Sequence, residues 1–376
     1  MQLSRRRLRQ TALAGAAAGA VAMSLVLPAT AAAAPAPAGA SETRTAGTLE
    51  VVRTGLNNAR KVTWDPRLDV VYVAEAGRSS ATCIGDTTNG CFSRSGSIYG
   101  YSPHYDLSSR VVTGLPTLRT ARGLTGLAEV NPYGATEVRA VFGLGGTSAL
   151  REQFDPAAAP LGQLARIQVT GQVIPSADLV AFEEQNNPDG RIVDTNPYGV
   201  ETDATGSVVA DAAANAILHV TPAGAVSVLA VPPGVPLGPR EVEPVPTSVV
   251  RGPDGYYYFG ELLGAPFPPG LARVWKVRPG EQATLVSAGF TNITDLAFDR
   301  QGRLLVLEMA ERGLLSGDPT GRLVRLEADG TQTVLAREGL SLPGGMAVTP
   351  NGDIYISNKI TSADGGSELL RLRGAA

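Results

Sequence analysis

Short apolar runs separated by tight turns recur through most of the chain. In residues 292–309 apolar positions alternate, a turn follows at Asp299–Gly302, and a second apolar run extends over Leu304–Leu307. This pattern predicts a β-hairpin, because glycine readily takes the positive φ that a short reversal requires. The hairpin ends at Glu308, a carboxylate directly behind the second apolar run.

The same unit recurs at intervals of about 50 residues, as its turn glycines Gly206, Gly255, Gly302 and Gly352 show. A period of this length, built from short strands, is typical of a β-propeller. The sequence therefore predicts an all-β fold and a six-bladed β-propeller. The predicted blades cover about residues 56–114, 115–196, 197–235, 236–290, 291–340 and 341–376, and the second is the least regular.

The last predicted blade lacks a fourth strand, because few residues follow Leu372. The segment Leu49–Arg53 resembles the strands that close other blades. We therefore expect the last blade to be closed by this N-terminal strand, which would leave no weak seam. A plain flexible leader is the alternative. The best helix signal lies at Ala149–Phe154 and predicts one short surface turn.

Residues 1–40 have the layout of an export signal and a small-residue leader. Arg5–Arg7 form a basic start, an apolar run covers residues 12–27, and a tract of small residues covers 29–40. Both the general and the twin-arginine export routes remain open. A retained anchor is less well supported, because the apolar run has only about 16 residues. We expect residues 41–376 to form one secreted, extracellular propeller domain, without a stable membrane span, and a monomer.

Cys83 and Cys91 are the two cysteines of the chain, and a polar, glycine-containing loop separates them. In an exported protein such a pair predicts a disulfide that closes the loop. A metal site would need further ligands nearby, and no histidine lies close in the sequence. The formal net charge is −3, which gives no indication of nucleic-acid binding.

Several segments resemble known propeller families. Val209–Asp211, followed by Asn215–Leu218, resembles an NHL-type repeat. Members of the ScyD/ScyE family are similar to this chain in the segments Phe259–Leu262, Pro266–Gly270, Ala272–Val274, Thr294–Phe298 and Ser357–Leu372. The resemblance covers essentially all of residues 41–376. It implies an exported NHL-like six-bladed propeller, and it brings no agreed activity or catalytic residues.

Five predicted second strands end in a polar side chain, and the second blade has glycines at the matching place. These residues are Glu75, Asp211, Glu261, Glu308 and Asn358. Strand ends of this kind share one face of a propeller, so we expect them to converge near the channel mouth. Loops that enter the first strands bring further polar residues to that face, namely Asn58, Arg60, Arg122, Asn196, Tyr198, Thr247, Asn292 and Asp295.

Converging carboxylates raise each other's pKa unless a cation lies among them. Ca²⁺ or Mg²⁺ could be bound by Glu75, Asp211, Glu261 and Glu308. Alternatively, Arg60, Arg122 or Lys359 could pair with the acids, or backbone amides could satisfy them. The two histidines, His104 and His219, lie in no context that indicates a nucleophile and its base.

The sequence thus favours a non-catalytic binding or interaction module that uses the channel-mouth face. Its expected partner is a small molecule or an extracellular protein, and no catalytic residue is assigned. The alternative is a divalent-metal-dependent hydrolase of the lactonase (gluconolactonase-like) type, in which the metal polarises a carbonyl and a free carboxylate acts as base.

Overall fold

The computed structural model describes residues 47–134 and 136–376. The leader predicted over residues 1–40 lies outside the described residues. Within them the chain is almost entirely antiparallel β-structure, as the sequence predicted. No helix in these two ranges is long and apolar enough to cross a membrane.

The strands form six four-stranded meanders, units in which consecutive strands pair. The N-terminal strand is β1 (Leu49–Leu56). The first meander contains β2 (Ala59–Asp65), β3 (Val70–Glu75), β4 (Cys91–Ser102) and β5 (Leu107–Thr120). The second contains β6 (Gly123–Tyr133), β7 (Glu137–Phe142), β8 (Gln163–Gln168) and β9 (Val173–Asp178). The third contains β10 (Pro197–Asp203), β11 (Gly206–Asp211), β12 (Ala216–Val220) and β13 (Val226–Ala230).

A two-stranded hairpin, β14 (Val235–Leu237) and β15 (Arg240–Val242), precedes the fourth meander. That meander contains β16 (Pro246–Arg251), β17 (Tyr257–Glu261), β18 (Ala272–Val277) and β19 (Thr284–Phe290). The fifth contains β20 (Ile293–Phe298), β21 (Leu304–Glu308), β22 (Arg322–Leu326) and β23 (Gln332–Ala336). The last contains β24 (Gly345–Val348), β25 (Ile354–Asn358) and β26 (Ser367–Leu372), with β1 on its outer edge.

The first strands of the meanders contact one another in cyclic order. Strand β2 contacts β6, and the contacts continue through β10, β16, β20 and β24 back to β2. Apolar side chains fill the space between neighbouring meanders; Phe290, Leu296 and Val306 belong to one such buried cluster. Consecutive antiparallel meanders arranged around their first strands are characteristic of a β-propeller.

The predicted role of the N-terminal strand is confirmed. Strand β1 pairs antiparallel with β26, with Leu49 opposite Leu372 and Leu56 opposite Ser367. Glu50 also accepts hydrogen bonds from Arg371 at 2.9 Å. The N-terminal strand therefore covers an edge of the last meander that would otherwise have unpaired backbone groups.

Two features of the first and second meanders differ from the sequence prediction. The blades were predicted as separate sheets, but β5 pairs with β6 and joins both meanders into one eight-stranded sheet. Thr120 lies opposite Gly123 across a two-residue turn, so the long strand β5 continues directly into β6. The Cys83–Cys91 disulfide is confirmed. Strand β4 begins at Cys91, so the loop that the disulfide closes ends where this strand starts.

Two short α-helices and one 3-10 turn (Pro156–Ala158) lie within the described residues. Helix α1 (Ser148–Arg151) overlaps the predicted helical turn. Helix α2 (Leu179–Asn186) was not predicted. Its N-cap, Asp178, accepts the Ala181 N–H at 3.2 Å, and Glu183 on its inner side is buried.

Candidate functional site

Three of the strand-end carboxylates are held within their own meander. Each is paired with an arginine from the third or fourth strand of that meander. These pairs are Glu75 with Arg110, Glu261 with Arg273, and Glu308 with Arg322. All three carboxylates are fully buried. Because a buried charge is costly without a partner, each arginine offsets the loss of hydration of its carboxylate.

The pair in the first meander shows how such a position works. Arg110 donates to both carboxylate oxygens of Glu75, through Nε and Nη2, at 2.8 Å each. Glu75 Oε1 also accepts the main-chain N–H of Asn57 at 2.7 Å. Since Asn57 lies in the two-residue link between β1 and β2, this hydrogen bond fixes the loop that enters the first strand.

The acids of the fourth and fifth meanders follow the same scheme. Burial raises the pKa of Glu261 and of Glu308, and the arginine of each pair opposes that rise. Glu261 accepts from Arg273 Nε at 2.7 Å and from the indole N–H of Trp275 at 2.8 Å. Glu308 accepts the main-chain N–H of Thr291, in the loop before β20, at 2.5 Å.

The last meander carries an amide, Asn358, at this position. Its Oδ1 accepts the main-chain N–H of Ser341 at 2.7 Å, and its Nδ2 donates to the Gly339 carbonyl at 3.1 Å. The residue opposite Asn358 on β26 is Glu368. A neutral amide therefore suits position 358, because a carboxylate there would lie opposite the negative charge of Glu368.

Asp211, at the end of β11, differs from the other strand-end acids. Its Oδ1 accepts the main-chain N–H groups of Asn196, Ala213 and Ala214 at 2.7, 3.3 and 3.2 Å. Its Oδ2 is buried without a hydrogen-bond partner. Burial raises the pKa of Asp211 to about 7, although the main-chain hydrogen bonds oppose the rise.

The cations that the sequence suggested for these acids are engaged elsewhere. Arg60 donates to a main-chain carbonyl of β6 at 2.9 Å. Arg122 pairs with Asp194 at 2.7 Å, and Lys359 pairs with Glu368 at 2.7 Å. The structure thus does not bring Arg60, Arg122 or Lys359 to the strand-end carboxylates.

These positions also do not fit the shared metal site that the sequence suggested for Glu75, Asp211, Glu261 and Glu308. Three of the four carboxylates are occupied by arginine. In the described part of the chain, no three His, Cys, Asp or Glu side chains are placed around one metal ion. Glu75, Glu261 and Glu308 therefore stabilise their own meanders through these ion pairs.

A cavity of about 550 Å³ lies next to the loops that enter the first strands. All six meanders contribute to its lining. Six of the loop residues singled out in the sequence line it, namely Asn58, Arg60, Arg122, Asn196, Tyr198 and Thr247. The apolar part of the wall includes Leu262, Phe267, Met309 and Leu314. Residues in the entry loops and at the starts of the first strands, and not the strand-end acids, line this cavity.

Asn292 was also predicted at the channel mouth, and it lies behind the cavity wall. It is fully buried. Its amide donates to the carbonyl of Leu262 at 2.8 Å, and its Oδ1 accepts the N–H of Leu314 at 3.1 Å. Both partners line the cavity, so Asn292 positions the wall.

A buried ion pair between two first strands was not predicted. Lys61 on β2 is 1% exposed, and its Nζ lies 2.6 Å from Oδ1 of Asp295 on β20. Lys61 also donates to the Thr294 carbonyl. Asp295 Oδ2 accepts the Met346 N–H at 2.7 Å. Burial raises the pKa of Asp295, and Lys61 opposes this rise.

Two further carboxylates lie on first strands. Glu129 on β6 accepts the N–H of Val200 at 2.7 Å, and burial raises its pKa well above the usual range while Lys61 opposes the rise. Burial raises the pKa of Glu201 on β10 to about 7. The available sequence signal for this group was a charged residue next to apolar residues of a first strand, as at Lys61 before Val62.

Neither a protein-family model nor a curated protein matches the sequence. Solved structures do match its fold. One is a protein of unknown function from Bacteroides thetaiotaomicron, with a TM-score of 0.54 and 10% identity over 86% of this chain and 75% of that chain.

Two further matching structures are of proteins with a named function. The calcium-binding protein regucalcin from Agrobacterium tumefaciens has a TM-score of 0.50 and 12% identity over 87% of this chain and 93% of its own. A gluconolactonase from Xanthomonas campestris has the same TM-score and identity over 87% and 89%. At this identity the comparisons establish the propeller fold alone.

Proposed function

We propose that this chain is a binding module that holds a small organic anion in the channel-mouth cavity. The observation that supports this proposal is the charge of the lining, whose charged side chains in the described residues are Arg60 and Arg122. The guanidinium group binds a carboxylate or a phosphate through two parallel hydrogen bonds.

The rest of the lining favours a ligand with both a charged end and an apolar body. Asn58, Asn196 and Tyr198 supply hydrogen-bonding groups, whereas Phe267 and Leu314 supply apolar surface. A mostly apolar wall with a few polar groups is the usual composition of a small-molecule site. The proposed ligand is therefore an amphipathic carboxylate or phosphate monoester.

Location, oligomeric state and family membership are part of the same proposal. We propose a secreted monomer of the ScyD/ScyE type, on the sequence resemblance and the N-terminal layout described above. The solved structures support the broader propeller class only.

The test is a thermal-shift screen of aromatic and aliphatic carboxylates and phosphate monoesters, followed by calorimetry on each hit. We expect Arg60→Met to weaken binding of a hit about tenfold or more, since it removes a charge-assisted hydrogen bond. Arg278→Met, a change on the fourth meander away from the cavity lining, should leave the affinity unchanged. Hits that bind Arg60→Met and Arg122→Met as tightly as the wild type would contradict the proposal.

A second candidate is a lactone hydrolase, and the comparisons favour it over a purely non-catalytic module. Their matches include a gluconolactonase and a calcium-binding regucalcin. Glu129 and Asp295 are first-strand carboxylates next in sequence to the cavity-lining residues Ala128 and Thr294. Because Asp295 is paired with Lys61, Glu129 is the candidate base.

A panel of sugar and aliphatic lactones, assayed with Ca²⁺, Mg²⁺ or Zn²⁺, tests this candidate. Turnover that is lost in Glu129→Gln and retained in Glu281→Gln, a change at an exposed position, would support the hydrolase. Binding of lactone-derived acids without turnover would support the binding module.

A further inference from the structure

Three segments meet at the base of the third meander, namely helix α2, the loop over residues 187–196, and the turn after β11. Two hydrogen bonds tie the loop to the turn. The Asn196 N–H donates to Asp211 at 2.7 Å, and the Asn215 amide donates to Asp189 at 2.8 Å. Helix α2 contributes Glu183, which is 1% exposed.

Buried side-chain oxygens without a hydrogen-bond partner are concentrated where these segments meet. They are both carboxylate oxygens of Glu183, Oδ2 of Asp211, Oδ1 of Asp194, Oδ1 of Asn187 and Oγ1 of Thr195. A buried polar atom is ordinarily hydrogen-bonded, because leaving it unsatisfied costs free energy. The concentration of acceptor oxygens in one place indicates a cationic ligand.

The nearby charges strengthen this argument. Glu183 lies in the same part of the fold as Asp189, Asp194 and Asp211, since Leu179 of helix α2 and Ala214 of the turn after β11 belong to one buried cluster. Arg122 pairs with Asp194 through its other oxygen. In the described residues, no ion pair of 4.0 Å or less involves Glu183 or Asp211. Asp194 and Asp189 have arginine partners, Arg122 and Arg191, whereas the charges of Glu183 and Asp211 are not offset by an ion pair within the described residues.

We propose that this group binds one calcium ion. Its ligands are the side-chain oxygens of Glu183, Asp211, Thr195 and Asn187. Ca²⁺ accepts six to eight oxygen ligands of mixed type and flexible geometry. Because no three acidic, histidine or cysteine side chains in the described residues already surround one point, amide and hydroxyl oxygens must complete the shell. This donor set suits Ca²⁺, whereas Zn²⁺ is usually bound by His and Cys.

The ion would also stabilise one wall of the channel-mouth cavity. Asn196 lines the cavity and donates to Asp211, and Arg122 lines the cavity and pairs with Asp194. The calcium site is separate from the cavity itself, so its test does not depend on the proposed anion ligand.

The experiment is calcium titration of the purified, chelator-treated protein by calorimetry, with thermal unfolding in calcium and in EGTA. We expect one bound ion per chain and a higher melting temperature in calcium. Glu183→Gln should lower the calcium affinity about tenfold or more, since even outer-shell changes have effects of that size. Glu184→Gln, the next residue of the same helix, is exposed and binds Ser148, so this control should retain the affinity.

A second measurement, the stability of each variant with and without calcium, distinguishes a calcium ligand from a residue that only stabilises the fold. In EGTA, Glu183→Gln should be at least as stable as the wild type, because it removes a buried repulsion, and in calcium it should be less stable. Asp211→Asn should behave in the same way and serves if Glu183→Gln does not fold. Absence of binding at millimolar calcium, or equal destabilisation of both variants with and without calcium, would overturn the proposal. Loss of calcium binding in Glu308→Gln would overturn it as well.

Discussion

Glu308 and Asp211 occupy the same place in two repeats of this propeller, yet only Glu308 forms an ion pair with an arginine of its own sheet. Both are fully buried and end the second strand of a meander. The residue opposite Glu308 on the third strand is Arg322, whereas the residue opposite Asp211 is Ala216. One residue on the adjacent strand therefore decides whether the acid is neutralised within its own sheet.

The main-chain role of the position is the same in both repeats. Glu308 accepts the N–H of Thr291, and Asp211 accepts the N–H of Asn196, in each case in the loop before the first strand. Asn358 does the same for Ser341 without any charge. The shared function of the position is thus to hold the entry loop, and the charge is available for another purpose where no arginine faces it.

The largest expected effect in this comparison is that of Glu308→Gln. The variant should lower the free energy of unfolding by about 3 kcal/mol, because it breaks a buried ion pair from one side. Arg322, whose side chain is 12% exposed, also approaches Glu311 at 3.9 Å. Urea unfolding at neutral pH measures the change.

The double variant Glu308→Gln/Arg322→Met is the control for this prediction. It removes both charges, so it should recover more than half of the lost stability. A single-variant loss below about 1 kcal/mol would show that the pair is not a structural brace.

Asp211→Asn should have the opposite sign when calcium is chelated. At pH 8 in EGTA we expect a gain of about 1 kcal/mol, because the amide removes an unpaired buried charge. Its Oδ1 can still accept the N–H of Asn196. Urea unfolding beside Glu308→Gln, in the same buffer, provides the comparison. A loss as large as that of Glu308→Gln would show that the two positions are equivalent after all.

Glu201 is a third case, in which the nearby arginine, Arg251, forms an ion pair with a different acid, Asp203. Arg251 lies 3.4 Å from Asp203, and burial raises the pKa of Glu201 to about 7. The folded protein therefore retains a proton that the unfolded chain releases near pH 4.5. As a result, stability should fall as the pH rises from about 4.5 to 7, by at most about 1.4 kcal/mol per unit from this group.

The measurement is the pH dependence of the free energy of unfolding between pH 5 and 8, in EGTA. Glu201→Gln should flatten the profile below pH 7 relative to the wild type. Identical slopes for both proteins would mean that Glu201 titrates normally.

The parts of the fold that the sequence predicted depend on local patterns. Apolar alternation and turn glycines predicted both the hairpin over residues 292–309 and the outer position of β1. Helix α2 was missed because its apolar residues, Leu179, Val180 and Phe182, cluster at its start and follow β9 directly. The N-cap Asp178 was the one available signal.

The sequence indicated where in the fold the candidate site lies, but it did not indicate which side chains contact one another there. Asn58, in a loop, and Tyr198, at the start of β10, both line the cavity. The strand-end acids were expected to converge, but burial and cross-strand partners depend on the packed sheets. Arg322 begins the strand that follows Glu308, so the pairing of these two strands could have been used to predict the ion pair. The packing of α2 near Asp211 is a contact between segments that do not form one hairpin, and no local sequence pattern predicts it.

The smallest expected effect concerns the ion pair of Arg122 with Asp194, which has the same chemistry as the buried braces. The distance is 2.7 Å, but the Arg122 side chain is 71% exposed. Solvent competes for an exposed guanidinium group, so a double-mutant cycle with Arg122→Gln and Asp194→Asn in EGTA should give a coupling below about 1 kcal/mol. The equivalent cycle for Glu308 and Arg322 should give several times that value. Similar couplings in the two cycles would mean that burial does not distinguish these pairs, and the arginine opposite Glu308 would then lose its assigned role as a brace.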